Sequence, residues 1–169
     1  MARFREAISF DASYGPAYLG LSALLELNAD LPEAERTLSM GIERVPHFVE
    51  AFRKRRALRQ KQKRMDEAVL DAEAAAQLEP DSPEVLMELS DAYIAGRAFC
   101  AALAVARRMA LKAELDGDAS MFRRAKLRAA ALALLAAEAD PVLSGSVGRG
   151  WVRRAIALGA RRQAQSSTQ

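Results

Sequence analysis

Small residues recur at helical spacing along the chain, at positions where a helix would normally bury larger side chains. In EAVLDAEAAAQLEPDSPE, residues 67–84, Ala68, Ala72 and Ala75 fall on one face of a predicted helix. That helix is expected to end at Leu-Glu-Pro-Asp, because the residue before a proline disfavours helical geometry. Alanine combines the highest helix propensity with a small side chain. The pattern predicts an all-α protein whose helices pack closely.

The same helix ending occurs 34 residues earlier, which indicates an internal repeat. Pro46 ends TLSMGIERVP, and Pro80 ends AEAAAQLEP. If each proline is position 32 of a 34-residue unit, the first unit covers 15–48. The recurring apolar positions are Tyr18, Leu21, Ala34, Leu38 and Gly41 in the first unit, Phe52, Ala68, Ala72 and Ala75 in the second, and Leu86, Leu89, Tyr93, Ala102, Ala106 and Met109 in the third. A repeat of this length is typical of stacked helix pairs.

Two stretches carry a family resemblance. LSDAYIAGRAFCAALAVARRMA, residues 89–110, and AYLGLSALLELNADLPEAERTLSMGIERVP, residues 17–46, resemble the tetratricopeptide repeat family. The resemblance covers about 14–114 and implies a right-handed α-α superhelical solenoid with a C-terminal capping helix. Small residues at positions 8, 20 and 27 would let the two helices of each pair approach closely.

The repeat register is expected to break after the third unit, because Pro141 lies 61 residues after Pro80 rather than 68. A helix is predicted over about 119–139, and WVRRAIALGARR is predicted to be a last short helix over the open end of the stack. At the other end we favour a fragment of a longer solenoid. The predicted segments are a partial helix of a preceding repeat or an N-terminal cap over 1–14, three repeats over 15–114, a degenerate repeat with capping helices over 115–162, and a disordered tail over 163–169.

The charge distribution adds a candidate binding element. The formal net charge is +3, but FRKRRALRQKQKR, residues 52–64, holds eight Lys/Arg and no acid. This block belongs to the first helix of the second unit. Arg55, Arg56 and Arg59 fall at positions 7, 8 and 11, where the family pattern has packing residues. They are expected to extend their charges outward, to reach acids on adjacent helices, or to meet a partner chain.

In the tetratricopeptide family, first helices line a concave groove that binds partner segments. The resemblance therefore implies a groove with a basic centre, an apolar side and an acidic side. The predicted partner-binding residues are Arg53, Lys54, Ala57 and Lys61 in the second unit, Leu19, Ala23 and Leu27 in the first, and Met87, Glu88 and Asp91 in the third. One subfamily binds acidic chaperone tails through a carboxylate clamp, but this chain has Leu19, Ala23, Lys54, Glu84 and Glu88 at the clamp positions. We reject a chaperone-tail interpretation.

No catalytic, metal-binding or cofactor-binding residue is predicted. His47 is the only histidine and follows Pro46 in a predicted turn without a positioned partner. Cys100, the only cysteine, is expected to pack as a small apolar residue near a helix start. SGSVGRG, residues 144–150, lacks the lysine and the preceding strand of a phosphate-binding loop, so we expect a connector. No segment is long and apolar enough to suggest a transmembrane helix.

The sequence therefore predicts a non-catalytic, cytoplasmic interaction scaffold, with a nuclear location as the alternative. It would bind a protein or peptide partner in the concave groove or dock within a larger assembly. An acidic segment is one kind of partner that this prediction includes. The competing hypothesis is that the basic helix, residues 53–64, binds a polyanion, either nucleic acid or an acidic protein tail. Few aromatic residues lie among its charges for base stacking, so nucleic acid is the weaker of these partners.

Overall fold

A computed structural model of the chain describes residues 1–139, and this part consists of helices, turns and no strand. The all-α prediction is confirmed. The helices are α1 (Ala2–Phe10), α2 (Gly15–Leu27), α3 (Leu31–Arg44), α4 (Val49–Lys61), α5 (Met65–Leu78), α6 (Pro83–Ala95), α7 (Phe99–Leu115) and α8 (Ala119–Ala139).

The helix boundaries repeat with the predicted spacing. The first helices of the three repeats are α2, α4 and α6, and they begin at residues 15, 49 and 83. The second helices are α3, α5 and α7, and they begin at 31, 65 and 99. Both series advance by 34 residues. Proline stands within the first two positions of α2 and α3 and begins α6, where its missing N–H breaks no helical hydrogen bond.

The turn between the two helices has the same conformation in each of the three repeats. Ala29, Lys63 and Arg97 each adopt a left-handed backbone, with φ of 61°, 61° and 60°. In the first turn, the N–H of Ala29 donates to the carbonyl of Glu26, and the N–H of Asp30 donates to that of Leu25. Equivalent bonds close the other two turns. This arrangement satisfies the last carbonyls of a helix and usually contains glycine, which has no Cβ to strain.

By its internal contacts, the chain also divides into two compact parts that are larger than a single repeat, and these are called unit 1 and unit 2 below. Unit 1 comprises Met1–Ala92. Its core is centred on Tyr18 and Leu38, which are fully buried among α2, α3 and α4. A Cβ built on Gly41 would lie 3.0 Å from the ring carbon Cγ of Tyr18, so a small residue at position 27 lets α3 approach α2 closely. The hydroxyl of Tyr18 donates to the carbonyl of Ala12 at 2.9 Å, which ties the preceding turn to this core.

Helix α1 packs on the first repeat through a few apolar contacts. Phe4 and Ile8 are partly buried against the core of unit 1. The ring of Phe4 covers Gly20, where a Cβ would meet ring carbons at 2.5 Å. Gly20 of α2 therefore lies under an aromatic ring. Whether α1 is a cap or the end of a preceding repeat stays a prediction.

Unit 2 begins at Tyr93 and is described as far as Ala139. Ala102 and Ala106 of α7 pack with Leu132 of α8, and Tyr93 and Phe99 lie against them. Helix α8 occupies the predicted range, 119–139, and has 21 residues where each first helix of a repeat has 13. The sequence RAAALALLAAEA explains this length, because it has no glycine or proline to end a helix. The predicted capping helix in 151–162 and tail over 163–169 lie outside the described residues.

Candidate partner-binding groove

The basic block of α4 surrounds a buried carboxylate. Asp71 of α5 is 2% exposed, and Arg55 donates to it from Nη2 at 2.7 Å and from Nε at 3.1 Å. Arg59 adds a bond from Nη1 at 2.9 Å. The Nη1 of Arg55 also reaches the hydroxyl of Ser39 at 2.9 Å. Positions that normally hold apolar packing residues therefore hold an ion-pair cluster that links α3, α4 and α5.

The cluster continues to the other end of α4. Glu35 accepts from Arg59 at 2.8 Å and from Arg64 at 2.5 Å, and Glu67 also binds Arg64. Burial by itself raises the pKa of Glu35, but the hydrogen bonds and charges of Arg64 and Arg59 outweigh it and hold that pKa below its ordinary value. The carboxylate is therefore held ionised by the two guanidinium groups.

Two more arginines of the block converge on Glu88 of α6. Arg53 donates to Glu88 from Nε at 3.0 Å, and Nη2 of Arg56 lies 3.0 Å from the second carboxylate oxygen. Burial acts to raise the pKa of Glu88, whereas the hydrogen bond from Arg53 and the charge of Arg56 lower it, and the net shift is downward. Two predicted groove residues, Arg53 and Glu88, thus bind each other.

At the remaining end of the predicted groove, Lys61 pairs with Glu26 of α2. Six of the eight Lys/Arg in the block, Arg53, Arg55, Arg56, Arg59, Lys61 and Arg64, therefore form ion pairs within unit 1. Lys54 and Lys63 are exposed and form no ion pair within residues 1–139. Of the three alternatives for the arginines at the packing positions, the structure supports pairing with acids of adjacent helices.

Next to the Lys61–Glu26 pair lies an open depression of about 630 Å³. It is lined by Ala23, Glu26, Leu27, Ala29, Leu31 and Lys61. Three of these, Ala23, Leu27 and Lys61, are residues predicted for the groove. The side chain of Leu27 is 81% exposed and belongs to the apolar part of this surface. The depression can therefore accept an apolar side chain of a partner, with one charge of each sign at its rim.

The other predicted groove residues have different surroundings. Leu19 is partly buried against the core of unit 1, and Ala57 and Met87 are half-buried. Asp91 and Lys54 are exposed. Sequence reasoning missed Glu26, Ala29 and Leu31, of which the last two belong to the turn and the second helix. The spacing of 35 residues between Glu26 and Lys61 was the available signal for their pairing.

The residues considered for chemistry remain isolated. His47 is exposed in the turn after α3 with a φ of 53°. The expectation that Cys100 packs in the interior is wrong, because the side chain is exposed in the second residue of α7. Among residues 1–139, no group of three or more His, Cys, Asp or Glu side chains could hold a metal ion. In the same range, no helix is long and apolar enough to cross a membrane.

Comparison with known proteins supports the fold. Neither a protein-family model nor a curated protein matches the sequence. Among solved structures, the chain is similar to the TPR2B domain of yeast Sti1, in the structure described as its complex with pHsp70. The TM-score is 0.56 at 18% sequence identity, over 71% of this chain and 96% of that one. The described helices thus have the fold of a tetratricopeptide repeat domain, the fold class of α-solenoids.

Proposed function

We propose that the protein is a non-catalytic interaction scaffold that binds a segment of a partner protein in the groove of unit 1. The observation that carries the proposal is the depression beside Leu27. A leucine side chain that is 81% exposed beside Ala23 and Leu31 leaves apolar area that a partner can remove from water. The Sti1 domain of similar fold supports a protein or peptide partner in general terms, since its structure is a complex with pHsp70.

The charges around the groove indicate the kind of segment that would fit. Lys61 and Glu26 at the rim neutralise each other, as do Arg53 and Glu88 further along. Lys54 of α4 and Glu84 of α6 are exposed charges of opposite sign. A segment with a leucine-like anchor and charges of both signs fits better than a strongly acidic tail. At the clamp positions, Glu84 is an exposed acid that would repel such a tail, and Glu88 already binds Arg53 and Arg56.

The competing hypothesis, a polyanion bound by the helix over 53–64, receives less support. Within residues 1–139, Lys54 and Lys63 are the two basic residues of that block without an ion pair. A polyanion would have to displace carboxylates that already bind the other six basic residues. For the mostly buried pairs of Arg55, Arg56 and Arg59, this displacement would leave a carboxylate without its compensating charge, which is strongly unfavourable.

The test is a selection of groove-binding peptides from a random peptide library displayed on phage, followed by titration of the synthetic peptide. Leu27→Gln removes the exposed apolar side chain without adding a charge. Leu70→Gln is the matched control, because Leu70 is also an exposed leucine, 61% exposed on α5, and lies outside the depression. Both variants should keep the helical content of the wild type, because surface substitutions rarely cost more than about 0.5 kcal/mol.

The proposal predicts that the selected peptide carries an apolar anchor and binds Leu27→Gln at least about tenfold more weakly, the loss of one buried leucine contact. The Leu70→Gln variant should bind like the wild type. Equal affinity for all three proteins, or no peptide recovered, contradicts the groove assignment.

A further inference from the structure

The second unit carries the net positive charge of the sequence. Residues 1–92 hold 12 Lys/Arg and 17 Asp/Glu, a net charge of −5. Residues 93–169 hold 13 Lys/Arg and 5 Asp/Glu, a net charge of +8. Eleven of those 13 basic residues are arginine. The net positive charge therefore belongs to residues 93–169, whereas the basic block of α4 belongs to a unit with a net negative charge.

The described part of unit 2 presents several of these charges to solvent. Arg107 of α7 and Arg123 and Lys126 of α8 are exposed, and none of the three forms an ion pair within residues 1–139. Arg123 donates from Nε to the carbonyl of Ala119 at 3.2 Å, and Lys126 lies over the ring of Phe122 at 4.3 Å. Both contacts orient the side chains locally and leave their charges uncancelled.

Two of the four acids in the described part of unit 2, Asp116 and Asp118, lie in the turn between α7 and α8. Asp118 begins α8 by accepting backbone hydrogen bonds from Met121 and Ser120, and Asp116 lies 3.5 Å from Lys112. From Ala119 to Ala137 the sequence contains four basic residues and no acid. The first turns of α8 thus carry three exposed cations, Arg123, Arg124 and Lys126, on a helix that is about 30 Å long at 1.5 Å per residue.

We propose that the α7–α8 hairpin binds the phosphate backbone of a duplex nucleic acid without reading its base sequence. A duplex carries one negative charge per about 1.7 Å of its axis, and the length of α8 is close to one helical turn of it. Arginine matches phosphate because its planar fork donates two parallel hydrogen bonds. No aromatic side chain of unit 2 is exposed within the described range, which disfavours stacking on single-stranded bases. This inference is independent of the groove in unit 1.

The test measures binding of the full chain to a fluorescently labelled DNA duplex about two helical turns long. Anisotropy is recorded between about 50 and about 200 mM salt, and an RNA duplex and a poly-glutamate chain are run in parallel. The test variant combines Arg107→Gln, Arg123→Gln and Lys126→Gln. The control variant combines Arg3→Gln, Arg5→Gln and Arg44→Gln, which removes the same charge from exposed positions of unit 1 that form no ion pair within residues 1–139.

The proposal predicts duplex binding whose logarithm falls with the logarithm of the salt concentration. In the test variant this slope should shrink by about 3, one for each lost phosphate contact, and the affinity should fall about tenfold or more at low salt. The control variant should bind like the wild type. Equal weakening of both variants would show that only net charge matters, and binding of poly-glutamate without binding of either duplex would indicate an acidic protein partner. Either result overturns the proposal.

Discussion

The α4 helix and the α7–α8 hairpin are both rich in basic residues, yet their charges have opposite fates. In α4 and the turn after it, six cations bind Glu26, Glu35, Glu67, Asp71 and Glu88 of neighbouring helices. In the hairpin, Arg107, Arg123 and Lys126 remain exposed without an ion pair in the described chain. The density of basic residues along a sequence therefore does not reveal where the surface is positive.

Repeat geometry explains the difference. Lys61 pairs with a residue 35 positions before it, and Arg53 pairs with one 35 positions after it. Stacked repeats of 34 residues bring such positions side by side, so the acids of one repeat can neutralise the bases of the neighbouring repeat. The sequence of α8 contains no acid until Glu138, and acids that could act in this way are scarce in unit 2.

The largest expected effect comes from removing the buried acid of the α4 cluster. Asp71→Ala leaves Arg55 and Arg59 with an uncompensated charge in a mostly buried site, so it should lower the free energy of unfolding by about 3 kcal/mol. Urea unfolding followed by circular dichroism measures this change. Asp66→Ala, which removes an exposed acid from the same helix, should cost less than about 1 kcal/mol.

A repacked variant sharpens this result. Asp71→Leu combined with Arg55→Met and Arg59→Met replaces three charges of the cluster with apolar side chains. Its stability should recover to within about 1 kcal/mol of the wild type, because apolar replacement of a buried ion-pair cluster is often neutral. Failure to recover would mean that the cluster has a packing role that apolar side chains cannot fill.

Much of the fold could be predicted from the sequence, because two physical signals repeat along it. Proline endings at Pro46 and Pro80 and small residues such as Ala68 and Ala75 gave the helix pairs and their period. The left-handed residues Ala29, Lys63 and Arg97 could not be predicted, since none of them is glycine. They are held there because the hydrogen bonds of the helix end require that conformation.

The candidate site was predicted less completely. Three of the residues predicted for the groove, Ala23, Leu27 and Lys61, line one depression. The family positions do not include Leu31, because that residue belongs to a second helix. They also treat Arg53 and Glu88 as separate contacts for a partner, although the two side chains bind each other. Ion pairing between neighbouring repeats depends on how far the charged side chains extend, and the family positions alone do not give that distance.

The next expected effect is a loss of stability in acid that originates in unit 1. The pKa values of Glu35 and Glu88 lie below their ordinary value of 4.5, so the unfolded chain takes up protons at a higher pH than the folded one. Their stabilisation is complete above that ordinary value and is lost as the pH falls through the folded values. Urea midpoints measured from about pH 7 to about pH 3 should fall accordingly. In Glu35→Gln the fall should be shallower, and an unchanged pH profile contradicts this assignment.

The smallest effects concern the turns that close the helices of both units. Lys63→Gly should stabilise unit 1 by about 0.5–1 kcal/mol, because glycine adopts a positive φ without strain. In unit 2, Gly117 already has a φ of 72°, and Gly117→Ala should cost about 1 kcal/mol. Thermal unfolding of both variants measures these shifts. Shifts of the same sign for the two changes would be inconsistent with the turn geometry.

The most direct test of the claim that the α4 charges act inside the fold is a double-mutant cycle on Arg55 and Asp71. The free energy of unfolding is measured by urea titration for the wild type, Arg55→Ala, Asp71→Ala and the double variant. A buried, doubly hydrogen-bonded pair predicts a coupling energy of about 2 kcal/mol. A coupling within about 0.5 kcal/mol of zero would contradict the claim and return the basic helix to the list of surfaces available to a partner.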